Sequence, residues 1–209
     1  MKIIVWWTCT ALFAWACVLA PKADCRGADL SHYRFGAEDL SGIDFSGALL
    51  FRARFEGTNL SGANLSSAQL RHARLIDVNL QNANLSGAEL GNTDFISVRF
   101  AGANLSSVQA ARIEVLASDL TGVNLQSAAL ERAVFRTVSL AGARLAGAKL
   151  WWAIVDDANL TGADLTDASF RWAEVTRTDW QAAKLKNTEL PGATLRPGNV
   201  RPIPFGGMR

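Results

Sequence analysis

Two histidines and three cysteines are the residues of this chain best suited to metal ligation or nucleophilic catalysis. They are His32, His72, Cys9, Cys17 and Cys25. A zinc site takes four ligands at short spacings, and a catalytic thiol needs a histidine placed to remove its proton. The sequence offers neither arrangement, and acidic pairs such as Asp156–Asp157 are scattered. It therefore predicts a protein that is not an enzyme, with no metal site and no cofactor.

The elements that must position these residues follow a period of five. From Gly62 to Leu90, leucine stands at every fifth position, beginning at Leu65. The same period runs from Leu30 to Leu195 without insertion or deletion, and of its 34 positions leucine occupies 22 and phenylalanine seven. Two residues earlier the side chain is small, with alanine in 20 of the 34 cases. A period of five matches neither an α-helix, at 3.6 residues, nor a strand, at two.

Both apolar positions of this repeat can be buried by a chain that turns a corner every five residues. We call the residue of the leucine series the central residue; it points into the axis of the coil together with the small residue two positions earlier. The other three positions face water and are largely Ser, Gly, Asn, Asp, Arg and Thr. Successive coils then stack at about 4.8 Å, the spacing of neighbouring strands, and stacking supplies the core.

The units "GANLS", "GAELG", "GADLT" and "GARLA" resemble the A(D/N)LXX repeat of pentapeptide-repeat proteins. The resemblance covers residues 23–195 and implies an all-β fold, the right-handed quadrilateral β-helix, with about 8.5 coils of 20 residues and a length of about 40 Å. It implies a scaffold and not a shared activity. Residues 1–22 precede the repeats, and residues 196–209, rich in proline and glycine, form a predicted cap or tail.

The N-terminal segment from Ile3 to Ala20 is apolar and follows Lys2, as in a secretory signal peptide. Cleavage is expected after Ala20 or Ala23, and export to the periplasm or beyond is predicted. An uncleaved membrane anchor and a lipoprotein signal at Cys17 are the alternatives. A chain trimmed at either expected position keeps Cys25 alone, which predicts no internal disulfide. Cys25 falls in the central register and is expected to be buried; a reactive or pairing thiol is the alternative.

A coil of 20 residues brings residues 20 apart into one column, and the four faces of the coil then differ. One wall stacks Asn64, Asn84, Asn104 and Asn124, which predicts a ladder of amide hydrogen bonds. Two adjacent faces are rich in arginine, tryptophan and aliphatic residues, the types enriched at protein interfaces. The candidate partner surface comprises Trp151, Trp152, Ile154, Trp172, Arg112, Arg132, Ile76, Ile96, Leu116, Arg34, Arg54 and Arg74. The alternative is that these stacked side chains only shield the backbone hydrogen bonds between coils.

Two functions fit these features. The first is an exported, non-enzymatic scaffold that binds a protein or forms a homodimer, and that meets a membrane only through an uncleaved N-terminal segment. The second is implied by the resemblance: some members of the family bind topoisomerase by imitating DNA. DNA carries about one charge per 1.7 Å, so a rod of this length would need an excess of roughly two dozen acids. The net charge is +2, which disfavours the mimic, and the export signal disfavours nucleic acid as a partner.

Overall fold

A computed structural model describes residues 2–3 and 17–191, and these residues contain strands, turns and no helix. The strands are β1 (Lys2–Ile3), β2 (Val18–Leu19), β3 (Arg34–Phe35), β4 (Arg54–Glu56), β5 (Arg74–Ile76), β6 (Asp94–Ile96), β7 (Glu114–Leu116), β8 (Val134–Ser139), β9 (Ile154–Asn159) and β10 (Glu174–Thr176). Strands β3 to β10 form one parallel sheet in chain order. Each pairs with the next at a register of 20 residues, as the resemblance to pentapeptide-repeat proteins implies.

The corners of the solenoid follow from the backbone at the second residue after each central residue. Between residues 22 and 187, this position has a positive φ in every repeat except at Ala37. A type II turn requires a positive φ at its third residue and closes with a hydrogen bond from the fourth to the first. The amide of Ala63 donates such a bond to the carbonyl of Leu60 at 3.0 Å. The five-residue period is thus a series of tight turns separated by short extended sides.

The axis is filled by the central residues and the small residues two positions before them. Leu85 is buried completely in the column that contains Leu65 and Leu105, and the rings of Phe35 and Phe55 stack at 4.2 Å. Where a hydroxyl replaces the small apolar residue it bonds to the backbone: Thr58 Oγ1 donates to the carbonyl oxygen of Gly36 at 2.7 Å. This confirms the predicted inward register.

Eight rungs of β3 to β10 are separated by seven turns of 20 residues, so the structure is a solenoid of about seven turns between its first and last strand. Isolated parallel bridges extend the stacking to Asp24 at one end and Glu189 at the other. The predicted length of 8.5 coils included Leu195. That residue and the predicted cap at 196–209 lie outside the described residues.

The asparagine ladder is present on the wall where the sequence predicts it. The amide of Asn84 donates to Oδ1 of Asn64 at 3.4 Å, that of Asn104 to Asn84 at 3.2 Å, and that of Asn124 to Asn104 at 3.0 Å. Each of these oxygens also accepts the backbone amide two residues later, as Asn84 does from Ser86. The ladder therefore fixes each corner as well as the spacing between turns.

The N-terminal end departs from the prediction at its cysteines. Cys25 is buried in the central register, as expected, but it forms a disulfide with Cys17, with Cα atoms 5.0 Å apart. The expectation of no internal disulfide is therefore wrong, because it assumed that Cys17 is removed. Strand β2 follows Cys17, and Leu19 joins the core. No helix among the described residues is long and apolar enough to cross a membrane.

Candidate interaction surface

One column of corner residues differs from the three other columns. At the position with positive φ, each of the other columns contains glycine, as at Gly42, Gly47 and Gly57. The fourth column contains none among the described residues and carries large side chains in seven of its eight corners. It consists of His32, Arg52, His72, Asn92, Arg112, Arg132, Trp152 and Trp172. We call this set the large-residue column.

The large-residue column is costly for the backbone. A left-handed conformation brings Cβ close to a neighbouring carbonyl oxygen and costs an ordinary residue about 1–2 kcal/mol, whereas glycine has no such penalty. Trp152 and Trp172 both have a φ of 56°. Because glycine or another short residue fills most of the equivalent corners elsewhere in this chain, the large side chains here are not required by the turn.

Trp152 and Trp172 form the most exposed aromatic group in the described part of the chain. Their rings stack across one turn with centroids 4.7 Å apart and planes inclined by 14°. The side chains are 47% and 60% exposed. The predicted stacking of these two residues is confirmed by the geometry, and the pair presents a flat aromatic surface to solvent.

Cations surround this aromatic pair. The guanidinium of Arg132 lies 5.7 Å from the Trp152 ring centroid, and that of Arg171 lies 5.2 Å from Trp172. Both contacts are within the range of a cation–π interaction. Arg171 was not among the predicted site residues. Its position in the sequence, one residue before Trp172 and 20 residues after Trp151, could have identified it. We call Trp152, Trp172, Arg132 and Arg171 the tryptophan face.

Trp151 is placed differently from its neighbour. It is half-buried, its indole N–H donates to Ser169 Oγ at 2.8 Å, and Lys149 Nζ lies 5.6 Å from the ring centroid. These contacts give Trp151 a structural role beside the tryptophan face. Arg112 is exposed two turns before Trp152 in the large-residue column.

The aliphatic residues of the predicted surface are in register but only partly exposed. Ile76, Ile96 and Leu116 pair directly across β5, β6 and β7, and Ile154 pairs with Val134. All are half-buried, because neighbouring side chains in the column cover much of each one. The structure thus brings them together as predicted but does not present them as a broad exposed apolar patch.

The predicted arginines Arg34, Arg54 and Arg74 lie near the N-terminal end, paired in register across β3, β4 and β5. Phe51 immediately precedes Arg52 of the large-residue column; it is 36% exposed, and the sequence prediction missed it. Its ring makes edge contacts with His32 and His72, with centroids 5.6 and 5.7 Å away. At about 4.8 Å per turn, the four turns from residue 72 to residue 152 separate this region from the tryptophan face by about 19 Å.

One carboxylate beside the aliphatic columns has a shifted acidity. Arg177 and the hydroxyl of Thr176 both donate hydrogen bonds to Asp156, and they hold the pKa of this carboxyl below its ordinary value. The carboxylate of Asp156 is therefore paired with residues of the next turn and is not free to bind a partner. No group of three or more histidine, cysteine, aspartate or glutamate residues that could hold a metal ion occurs among the described residues.

Two family models match the repeats. The model described as pentapeptide repeat region matches residues 48–125, and the model described as pentapeptide repeats (8 copies) matches residues 118–150 and 143–179. The chain belongs to the pentapeptide-repeat family. The matches cover the large-residue column from Arg52 to Trp172, so the candidate surface lies on the repeats themselves.

Solved structures of pentapeptide-repeat proteins are similar to this chain. A trypsin-treated variant of QnrB1, described as a plasmid-mediated fluoroquinolone resistance protein, is 18% identical, with 80% of this chain and 88% of that chain covered and a TM-score of 0.48. HetL from Nostoc sp. strain PCC 7120, described as involved in heterocyst differentiation regulation, is 26% identical, covering 78% and 87%, with a TM-score of 0.38. A thylakoid-lumen protein of Arabidopsis thaliana is 30% identical over 62% of this chain and 66% of that chain, with a TM-score of 0.18. A comparison with curated proteins finds no match.

Proposed function

We propose that this pentapeptide-repeat scaffold is a non-enzymatic, exported protein that binds a protein partner through the tryptophan face. The observation that carries the proposal is the exposed stack of Trp152 and Trp172 at corners where glycine would be less strained. A stacked pair keeps each ring rigid, so little side-chain entropy remains to be lost on binding. Tryptophan and arginine are also the residue types that contribute most to binding at protein interfaces.

The cations of the tryptophan face indicate the chemistry of the partner. Arg132 and Arg171 border the aromatic pair, and Arg171 lies only 3.7 Å from Glu189, in a pair whose side chains are both more than half exposed. Such a pair is weak, so Arg171 can exchange its carboxylate partner. We therefore expect an apolar contact on the two rings and acidic side chains around it. The partner could be a second copy of this chain, and the experiment below distinguishes self-association from binding to another protein.

Export is supported by the disulfide between Cys17 and Cys25. Disulfides form and persist in oxidising compartments and are rare in the cytosol of mesophiles. A lipoprotein would use the thiol of Cys17 for its lipid, which is incompatible with this bond. Cleavage after Ala20 or Ala23 would break the backbone between Cys17 and Cys25 and leave the leader attached only through the disulfide. We therefore propose that processing leaves Cys17 in place.

The sequence before Cys17 contains a suitable processing site. Ala14 and Ala16 stand three and one residues before Cys17, which is the small-residue pattern of signal peptide cleavage. The apolar run from Ile3 to Phe13 has the length of a signal peptide's central region. We propose cleavage after Ala16, which releases β1 with the leader and leaves β2 and the disulfide on the mature chain.

The DNA-mimic alternative is weaker. Its requirement for a large excess of acids is not met, since the chain has 21 basic and 19 acidic residues. Arg34, Arg54 and Arg74 occupy three successive rungs of one column, where a mimic of the phosphate backbone would carry acids.

The tryptophan face is tested by the double variant Trp152→Ala with Trp172→Ala. Phe51→Ala is the matched control, because it removes an exposed aromatic residue from the same side of the rod at the other end. Parent and both variants are used for pull-down from a cell-envelope extract, and their masses in solution are measured by light scattering. We expect one partner, or self-association, to be lost in the double variant and kept in the control. A folded double variant that keeps every association would refute the proposal.

Export and processing are tested by expressing the full chain and sequencing the N-terminus of the protein recovered outside the cytoplasm. The expected first residue is Cys17, with a mass that shows the disulfide to Cys25. A first residue at Pro21 or Asp24, or recovery of the chain only from the cytosol, would contradict the proposed processing. These results do not depend on the tryptophan variants.

A further inference from the structure

Near the N-terminal end of the rod, basic residues line a groove of about 550 Å³. Its lining consists of His32, Arg34, Arg52, Arg54, His72, Arg74 and Asp94. Four guanidinium groups therefore face one carboxylate. The volume lies within the range of small-ligand sites, about 300–1,000 Å³. We call this site the arginine groove; it is distinct from the tryptophan face and does not depend on the function proposed for it.

The charges of the arginine groove are not balanced by the protein. Arg34, Arg54 and Arg74 are direct partners across three parallel rungs, and like charges opposite each other destabilise a sheet. Among the described residues none of the three takes part in an ion pair. On another wall of the rod a column of charges alternates in sign, since Asp164 lies between Arg144 and Lys184. The repulsion in the groove is thus a feature that an anion would relieve.

The groove is held in shape by strained corners and aromatic contacts. His32, Arg52 and His72 all have positive φ. Phe51 lies between the two imidazoles in edge contact with both, and the Arg52 guanidinium lies 5.0 Å from its ring centroid. These contacts orient the basic groups before any ligand arrives, which lowers the entropy lost on binding.

The length of the basic column limits the size of the ligand. After Arg74 the same column continues with Asp94 and Glu114. Three arginine rungs at about 4.8 Å extend over about 10 Å, and the acids beyond them would repel a longer polyanion. This sign change favours a compact ligand over a duplex nucleic acid, which needs a continuous basic track.

We propose that the arginine groove binds a compact oligophosphate, a ligand with two or three linked phosphoryl groups. Guanidinium groups recognise phosphate oxygens through paired hydrogen bonds in a fixed fork geometry. Linked phosphates carry several charges within a few ångströms, so that one ligand can contact Arg54 and Arg74 together with Arg52. Single anions lack this reach and bind more weakly.

The test is isothermal titration of the full chain with tripolyphosphate and, separately, with orthophosphate, at constant ionic strength and neutral pH. We expect one site per chain for tripolyphosphate, with at least tenfold weaker binding of orthophosphate. Arg54→Gln with Arg74→Gln should weaken tripolyphosphate binding at least tenfold. Arg99→Gln is the control, because Arg99 is exposed on another wall, and it should leave the affinity unchanged.

A variant at Asp94 tests the same site independently of whether the double arginine variant folds. Asp94→Asn removes the single carboxylate of the groove and should tighten tripolyphosphate binding at least threefold. Binding without saturation, equal loss in the Arg99→Gln control, or an unchanged affinity in Asp94→Asn would overturn the proposal. Tighter binding of a duplex DNA than of tripolyphosphate through the same arginines would also overturn it and assign the groove to nucleic acid.

Discussion

The side-chain amide of Asn104 donates to Oδ1 of Asn84, one turn of 20 residues earlier in the chain, at 3.2 Å. One residue after Asn84, Leu85 is fully buried in the axis. Neighbours in sequence therefore stabilise the same turn by different means. The outward asparagine exchanges water for another amide, and the inward leucine leaves water altogether.

This contrast predicts unequal costs for two adjacent substitutions. Leu85→Ala should lower the free energy of unfolding by about 2–5 kcal/mol, because it leaves a cavity in the axis. Asn84→Ala should cost about 1 kcal/mol, because solvent can replace part of the ladder at this half-buried position. Chemical denaturation of both variants measures the two costs. The reverse order would show that the inward and outward assignment is wrong.

The continuous register predicts a strong effect of a single-residue insertion at Gly87. Every side chain after the insertion would shift by one position, so that polar residues enter the axis. The chain should lose its cooperative thermal unfolding, or its unfolding temperature should fall strongly. An insertion of five residues at the same site preserves the periodicity within each side and serves as a comparison. Unchanged unfolding after the single insertion would contradict the register.

The strained corners predict that glycine is tolerated where tryptophan now stands. Trp152→Gly with Trp172→Gly removes the left-handed penalty of about 1–2 kcal/mol at each corner. It also loses about 1 kcal/mol of ring stacking and adds an entropic cost of about 0.5–1 kcal/mol for each glycine, so that the terms nearly cancel. We expect thermal unfolding at or near the parent temperature, with loss of any association through the tryptophan face. Ser127→Gly, at a corner with a φ of 55°, is the control and should change neither association nor fold. A large destabilisation by the glycine pair would assign the tryptophans to folding.

The disulfide at the N-terminal end predicts sensitivity to reductant. Closing the short loop from Cys17 to Cys25 stabilises the folded chain by about 2 kcal/mol if the first turn unfolds together with the rest. Thermal unfolding of the parent should therefore shift to lower temperature when reductant is added. Cys17→Ser with Cys25→Ser should already unfold at the lower temperature and should not respond to reductant. A parent that is indifferent to reductant would show that the first turn unfolds separately.

The pair of Asp156 and Arg177 predicts a dependence of stability on pH. The pKa of Asp156 is lower in the folded chain than its ordinary value of 3.8. The ion pair therefore contributes its full stabilisation above pH 3.8, and this stabilisation is lost as the pH falls through the lowered pKa of the folded state. Asp156→Asn should destabilise the chain by less than about 1 kcal/mol at pH 7, since the arginine is largely exposed. The difference from the parent should shrink as the pH falls below 3.8 and the carboxyl becomes protonated. A difference that stays constant with pH would exclude the ion pair as its cause.

The residues that fill the axis are predicted well from the sequence because buried positions recur at the five-residue period. The burial of Leu85 and of the alanines before the central residues follows from the period of five. The stacking of Trp152 on Trp172 follows from the turn of 20 residues that the family resemblance implies. The same period does not determine how far a side chain at a corner is covered, so the half-burial of Ile76 and Trp151 was missed. Phe51 was missed for a related reason, because its contacts are made with residues one turn before and after it.

The N-terminal end was harder to predict because it lies outside the repeat. Pairing of Cys17 with Cys25 depends on where the chain is processed and on how β2 approaches the first turn. Neither is encoded in the five-residue pattern. The two cysteines are close in sequence, but closeness alone does not favour a bond between a residue of an apolar leader and one of the core.

The constant 20-residue offset between bridged residues also has a kinetic consequence. Twenty residues are about a tenth of the 209-residue chain, a mean contact separation within the range of fast-folding helical bundles and below that of β-sandwiches. Each turn closes a loop no longer than the one before it, so a nucleus formed anywhere along the axis can grow in both directions by identical steps. Each strand of this all-β chain therefore forms at the loop-closure entropy of a 20-residue segment, and folding proceeds along the rod one turn at a time.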